Sequence, residues 1–313
     1  MALQSPLVYG RVLASQIRQA IPNLLRLENQ RSVACSNSRR YTKLITAYCG
    51  FSKNLLPSKK NRSFGEDAFF ITEDKVRNVL GVADGVGGWR NYGIDPSLFS
   101  SALMENCKNL IEQGLLNDPS PIEIMKEGYH EIFENKEPLF GSTTACIAVL
   151  DKKNSLLHSA NLGDSGFLVI RKQSVIHSSM GQQHYFNTPY QLAIPPPECE
   201  GNVIQDDLES AEERCFPVEE GDVVVMATDG LFDNLTESQI LDEISKLKDH
   251  QLCSVQSVAD SLANLASSLS YDPNYFSPFA KQAKEEEGIE AVGGKPDDIT
   301  VLVAIVCLAA TPV

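Results

Sequence analysis

Five short acidic turns, each bordering a run of apolar or β-prone residues, constrain the fold of this chain more than any other feature. They are Gly65-Glu66-Asp67 before Ala68-Phe69-Phe70-Ile71, Val82-Ala83-Asp84-Gly85-Val86 after Val79-Leu80, and Leu162-Gly163-Asp164-Ser165. The other two are Ala227-Thr228-Asp229-Gly230 after Val223-Val224-Val225-Met226, and Pro296-Asp297-Asp298 before Ile299-Thr300-Val301-Leu302-Val303. A carboxylate at the end of a core strand sits on the rim of the core, where several strand ends can meet. Carboxylates gathered there repel one another and titrate upward unless a cation is present. Taken singly, an Asp-Gly is most often a solvated turn. Five of them beside core strands point to a sheet-based fold with a site for hard divalent metals at its edge.

The segments between the turns set the fold class. Asp95-Pro96-Ser97 starts a helix that ends near Gly114, and Asp118-Pro119-Ser120-Pro121 starts a second. Strands are expected over residues 143–150, 156–161, 167–171, 222–227 and 300–305, with further helices over 236–247 and 255–270. Residues 45–64 read as an irregular entry, 182–214 as a polar, proline-rich stretch that covers or frames something, and Lys284-Glu285-Glu286-Glu287 as a solvated face. Strands in blocks, with helix pairs between the blocks, do not alternate in the βαβ manner. The expectation is an α+β sandwich of antiparallel sheets covered by helices, with residues 46–313 forming one domain.

Charge divides the chain. The net charge is −14, yet residues 1–45 hold seven Lys/Arg against Glu28 alone. The remainder therefore carries 20 basic and 40 acidic residues. So acidic a body disfavours nucleic acid as a partner. Residues 1–45 have the character of a mitochondrial transit segment: acid-poor, with Leu13, Ile17, Ile21 and Leu24 at helical spacing and Arg11 and Arg18 on another face. They contain no uninterrupted apolar stretch of the secretory kind, and a matrix location is expected. No apolar run approaches the roughly 20 residues that span a bilayer. The eight cysteines form no C-x-x-C pair, which points to reduced thiols and away from zinc. The five histidines form no spaced cluster; His184 alone, in the polar stretch, is a candidate for the neighbourhood of the site. A monomer is expected.

Mg²⁺ and Mn²⁺ take octahedral oxygen sites built from a few carboxylates, a carbonyl and several waters. Two such ions sharing a carboxylate acidify a bridging water and neutralise a phosphate ester for in-line attack. Arg62, four residues before Glu66, can hold the substrate phosphate bidentately.

The motifs in register are more specific. Arg62-x-x-x-Glu66-Asp67, Val82-Ala83-Asp84-Gly85, Gly141-Ser142-Thr143-Thr144-Ala145, Asn161-Leu162-Gly163-Asp164-Ser165, Thr228-Asp229-Gly230-Leu231-Phe232-Asp233 and Asp297-Asp298-Ile299-Thr300 occur in the order of the metal-dependent Ser/Thr phosphatases of type 2C, the PPM family. The likeness runs from Arg62 to Val303. Asp84-Gly85-Val86-Gly87-Gly88-Trp89-Arg90, Gln183-His184-Tyr185-Phe186-Asn187-Thr188-Pro189 and Tyr271-Asp272-Pro273-Asn274-Tyr275 resemble its mitochondrial PTC-seven-type branch. That resemblance implies a central pair of antiparallel sheets flanked by helix pairs, a dinuclear Mg²⁺ or Mn²⁺ centre, and phosphoprotein substrates. By motif, Asp84 would bridge both metals and Gly85 would offer its carbonyl. Asp229 and Asp297 would complete the pair, with Glu66 and Asp67 acting directly or through water. Asp164 matches the position that serves a third, weaker metal, and Arg62 matches the phosphate-binding arginine.

Two departures stand out. Val86 occupies the place where many family members have a histidine proposed as general acid, so the leaving group must take its proton from a metal-bound water or another residue. Asp298 stands where the family usually has Asn, which leaves open whether Asp297 or Asp298 faces the metal; the register of Ile299-Thr300 favours Asp297. Trp89 and Tyr92 are expected to pack on the core rather than wall the cleft. A pseudophosphatase that only holds a partner, or a phosphohydrolase of small metabolites, would use the same fold.

Overall fold

The structure is a computed structural model, and it describes residues 40–53, 64–199, 201 and 203–310. Residues Tyr41–Ala309 form one compact unit; the other, Met1–Arg40 with Ala310–Val313, falls almost wholly outside the described residues.

The strands β1 (Arg40–Phe51), β2 (Asp67–Glu73), β3 (Arg77–Asp84), β4 (Gly141–Thr143), β5 (Ala145–Asp151), β6 (Leu156–Leu162), β7 (Gly166–Arg171) and β8 (Ser174–Ser178) come first. After the short β9 (Gln183–Tyr185), β10 (Thr188–Pro189) and β11 (Leu192–Ile194) come β12 (Glu212–Pro217), β13 (Val223–Ala227) and β14 (Ile299–Ala310). Two five-stranded antiparallel sheets result, ordered β1-β14-β13-β7-β8 and β12-β6-β5-β3-β2. This is the α+β sandwich of antiparallel sheets that the segment pattern implies.

The helices α1 (Pro96–Glu112) and α2 (Pro121–Phe133) cover one sheet. Each starts at a side-chain cap, Asp95 or Ser120, followed by proline in the first turn, where its missing N–H costs nothing. The short α3 (Asp229–Phe232), α4 (Glu237–Ile244) and α5 (Leu252–Ser270) lie on the other sheet, and α6 (Pro278–Glu287) follows.

Alternation along the strands sorts residues into layers. Val224 and Met226 face the space between the sheets with Leu80, Val82, Leu157 and Leu302, whereas Val223, Val225 and Ala227 face α4 and α5. Both faces of the central strands are therefore covered, which is why Val223-Val224-Val225-Met226 and Ile299–Ala310 read as continuous apolar runs despite antiparallel pairing.

One segment differs from expectation: β1 takes up residues 45–51 of the expected irregular entry and residues 40–44 of the expected transit segment, with Thr42 and Leu44, then Ala47 and Cys49, buried in alternation. A shift of the alternation between the two pairs hides the period of two. The acidic run at Lys284 is solvated, as expected, and forms the exposed face of α6, where Ala280 and Ala283 are buried.

Candidate metal centre

All five acidic turns lie at one end of the sandwich. Asp67 at the start of β2 pairs in register with Asp84 at the end of β3. Ala227, two residues before Asp229, pairs with Gly166 on one side and Val301 on the other, and so brings the Asp164 and Asp297 turns alongside. Asp84 is the centre of the group. Burial pushes its carboxyl well above the usual range, and the charges of Asp229, Asp67, Asp297 and Asp164 add to the shift.

The Gly141-Ser142-Thr143-Thr144-Ala145 motif holds Asp84 by its backbone. The Thr144 hydroxyl accepts the Asp84 N–H at 3.1 Å, while the Thr143 hydroxyl (2.7 Å) and the Thr144 N–H (2.9 Å) donate to the Asp84 carbonyl. The Thr144 hydroxyl also meets that of Ser165 at 2.8 Å, tying the Asp84 and Asp164 turns together. Gly85 is required sterically, since a Cβ there would come within 2.5 Å of the Pro96 carbonyl oxygen.

The adjacent aspartates of the last turn have different surroundings. Asp298 is buried and faces backbone: its Oδ1 accepts the Lys53 N–H at 2.7 Å and its Oδ2 the Glu66 N–H at 2.8 Å. Asp297 points into the cluster, with Oδ1 3.0 Å from Lys53 Nζ and Oδ2 3.3 Å from Lys295 Nζ. Glu66 is buried and already engaged, by Lys53 Nζ at 2.8 Å and Arg90 Nε at 2.5 Å. Arg62 lies outside the described residues.

Three buried carboxylate oxygens, Asp67 Oδ1, Asp164 Oδ1 and Asp229 Oδ1, have no hydrogen-bond partner among the described residues. Burial holds the Asp67 and Asp297 carboxyls above the usual range and lifts Asp164 to about 7 and Asp233 to about 8. Asp229 is the exception: burial opposes its charge most strongly, but Lys295, Asp84 and Lys53 together outweigh burial and hold it low. Among the described residues no three His, Cys, Asp or Glu side chains form a ready-made metal site. Two ammonium groups, Lys53 and Lys295, stand among the carboxylates instead. Buried carboxylate oxygens without a partner among the described residues are donors that suit a hard divalent cation, and the residues fit one.

Lys53, Lys295, Arg90 and Asp233 are the members of the site that sequence reasoning left without a role. Asp233 was discernible, since it follows Asp229 by one helical turn. Nothing local marks Lys53, 244 residues from the Asp297 it bonds.

Beside Asp164 and Asp233 opens a cleft of about 520 Å³, lined also by Gln183, Tyr185, Phe232 and Gln282. The polar stretch thus frames the site, as Gln183 Nε2 donates to Asp164 Oδ2 at 3.0 Å. His184 lies on the cleft wall but is bonded to Asp206 at 3.0 Å and stacked on Tyr190. Trp89 is buried and donates to the Ser142 hydroxyl at 2.7 Å, whereas Tyr92 is exposed, against expectation, because the turn Gly87–Tyr92 carries it outward.

Comparison with known proteins gives three kinds of match. A family model described as stage II sporulation protein E (SpoIIE) matches residues 77–306. The protein phosphatase PTC7 homolog of Homo sapiens is 52% identical over 265 residues, which cover 84% of this chain and 87% of that protein. The PTC7 homolog of Danio rerio is 49% identical over 304 residues, covering 96% and 98%. Among solved structures, the photosystem II phosphatase PBCP superposes with a TM-score of 0.71 at 32% identity, over 84% of this chain and 98% of that one.

Proposed function

The chain belongs to the type 2C (PPM) protein-serine/threonine phosphatases, in the branch of the PTC7 homologues, and from that premise we propose that it dephosphorylates mitochondrial proteins with Mg²⁺ or Mn²⁺ held by the acidic cluster. The observation that carries this reading is the convergence of Asp67, Asp84, Asp164, Asp229 and Asp297 at one end of the sandwich, with three of their buried oxygens unpartnered among the described residues. Asp84, Asp229 and Asp297 would be the principal ligands, with the Gly85 carbonyl beside them and Glu66, Asp67 and Asp164 at the periphery. When bound, such ions neutralise a phosphate ester and acidify water for attack on phosphorus.

The protein's own residues prepare that chemistry. Thr143 and Thr144 fix the backbone of Asp84, and Asp298 ties the Lys53 and Glu66 segments to the Asp297 turn. Arg62 would hold the substrate phosphate. Val86 has no proton to give, and its N–H is committed to the Ser142 carbonyl at 3.0 Å. The departing serine or threonine oxygen therefore takes its proton from another group or from water.

A phosphoserine or phosphothreonine peptide assayed with Mn²⁺, Mg²⁺ or chelator tests the reading. Hydrolysis should require the divalent ion and vanish in Asp84→Ala; a folded, metal-loaded protein inert towards phosphopeptides would defeat it. Import is tested by fusing residues 1–45 to a reporter, and a diffuse cytosolic signal would refute a mitochondrial address. Because β1 begins at Arg40 and buries Leu44, cleavage of the leader belongs before Arg40.

A further inference from the structure

Lys295 is the most closely surrounded cation of the site. Its Nζ lies 2.5 Å from Asp229 Oδ2, 2.6 Å from Asp233 Oδ2 and 3.3 Å from Asp297 Oδ2, and 5.1 Å from the centre of the Phe279 ring. An ammonium has three protons, and here it has three carboxylates. The side chain is 15% exposed, so its charge is tolerable only because it is so fully paired.

Its position is also fixed through the backbone. The fully buried Asn234 accepts the Lys295 N–H on Oδ1 at 2.9 Å and donates Nδ2–H to the Lys295 carbonyl at 2.9 Å. The same Nδ2 reaches the Gly230 carbonyl at 3.0 Å. The amide of Asn234 thus fastens the loop that carries Asp297 to the turn that carries Asp229 and Asp233. Lys295 is delivered to the carboxylates by this clamp and not by its flexible stem alone.

We propose that Lys295 is a resident counter-ion of the metal centre, which holds Asp229, Asp233 and Asp297 together and excludes a divalent ion from the Asp229–Asp233 pair. The proposal rests on the reading of the cluster as a divalent-metal site. A point charge held 2.5–2.6 Å from the Oδ2 atoms of both carboxylates fills the space a cation would need on that side, and leaves the opposite oxygen, Asp229 Oδ1, to the metal centre. The Asp233 side of the cluster therefore takes no further metal while Lys295 is present.

Equilibrium dialysis against Mn²⁺, with metal counted per chain, tests this on the whole protein. Lys295→Met should bind one more Mn²⁺ per chain than wild type, and its melting temperature in chelator should fall by about 5 °C or more. Lys295→Arg, which keeps the charge, should bind as wild type does. Equal stoichiometry in Lys295→Met and wild type would overturn the proposal while leaving the metal centre intact. A wild type that binds no Mn²⁺ would instead remove the reading on which it rests. Should Lys295→Met not fold, the ¹⁵N signal of the Lys295 ammonium in wild type decides. It should persist, slow to exchange, up to Mg²⁺ saturation; its loss on Mg²⁺ binding would show that the lysine is expelled, and the proposal fails.

Discussion

Replacing Asp298 by Asn separates the two adjacent aspartates of the last turn, because their partners differ. Both Asp298 oxygens are used, one on the Lys53 N–H at 2.7 Å and one on the Glu66 N–H at 2.8 Å, in a residue that is 1% exposed. Asn keeps one oxygen and presents an NH₂ to the other N–H. One charge-assisted bond of about 1.5–3 kcal/mol is lost and a buried donor of about 1–3 kcal/mol is stranded. Removing a negative charge near Asp67 returns part of this, since Asp298 is one of the charges that raise the Asp67 carboxyl. The net expectation is a loss of about 2–4 kcal/mol, or roughly 5–12 °C in melting temperature for a domain of this size. Asp297→Asn should do the reverse. It removes a group in a repelling cluster, leaving metal-free stability nearly unchanged while Mn²⁺ affinity falls by at least about tenfold. Thermal melts in chelator and Mn²⁺ titration by calorimetry, run on both variants, read out the crossing. If Asp298→Asn kept full stability but lost metal, Asp298 would be the ligand and the reasoning from backbone bonds would be wrong.

Asp84→Asn should abolish metal-dependent phosphopeptide hydrolysis yet raise metal-free stability by up to about 1 kcal/mol, as four neighbouring carboxylates cease to repel it; a destabilised variant in chelator melts would contradict this. Asp164, near 7, titrates above an unfolded aspartate, so its protonation favours the folded metal-free protein. Stability should therefore fall as pH rises from about 4 through 7, and Mn²⁺ should suppress that trend; a flat profile in chelator would refute the raised carboxyl. Thr144→Val strips the acceptor from the Asp84 N–H and the partner from Ser165. A loss of about 2 kcal/mol in urea melts is expected, together with weaker Mn²⁺ binding. A thiol reagent should label the exposed Cys215 and Cys253 at once but reach Cys107 and Cys146, whose burial raises them, only on unfolding; peptide mapping would show it.

The acidic turns were legible because what announces them is local. A strand shows its period of two or its apolar run within a few residues, and Gly or Asp at its end marks the stop. That sufficed to place Asp67, Asp84, Asp164, Asp229 and Asp297 at strand ends, and to find α1 and α2 from Asp95 and Ser120 with the prolines that follow. Strand β1 escaped because its alternation shifts midway, and the α6 helix because its exposed acidic end dominates a short segment.

Family register added roles to these residues, but partners stayed hidden. Whether Asp297 or Asp298 faces the cluster depends on two N–H groups 245 and 232 residues away. The place of Lys295 depends on an asparagine 61 residues back, and that of Lys53 on where β1 ends against the Asp297 turn. From its sequence alone this protein is a two-sheet phosphatase with carboxylates at one rim, because strand and turn signals are written in neighbouring residues. Only the tertiary structure decided which carboxylates stay unpartnered and which are held by lysine. That outcome is set by charges and backbone donors that meet in space and leave no trace in spacing.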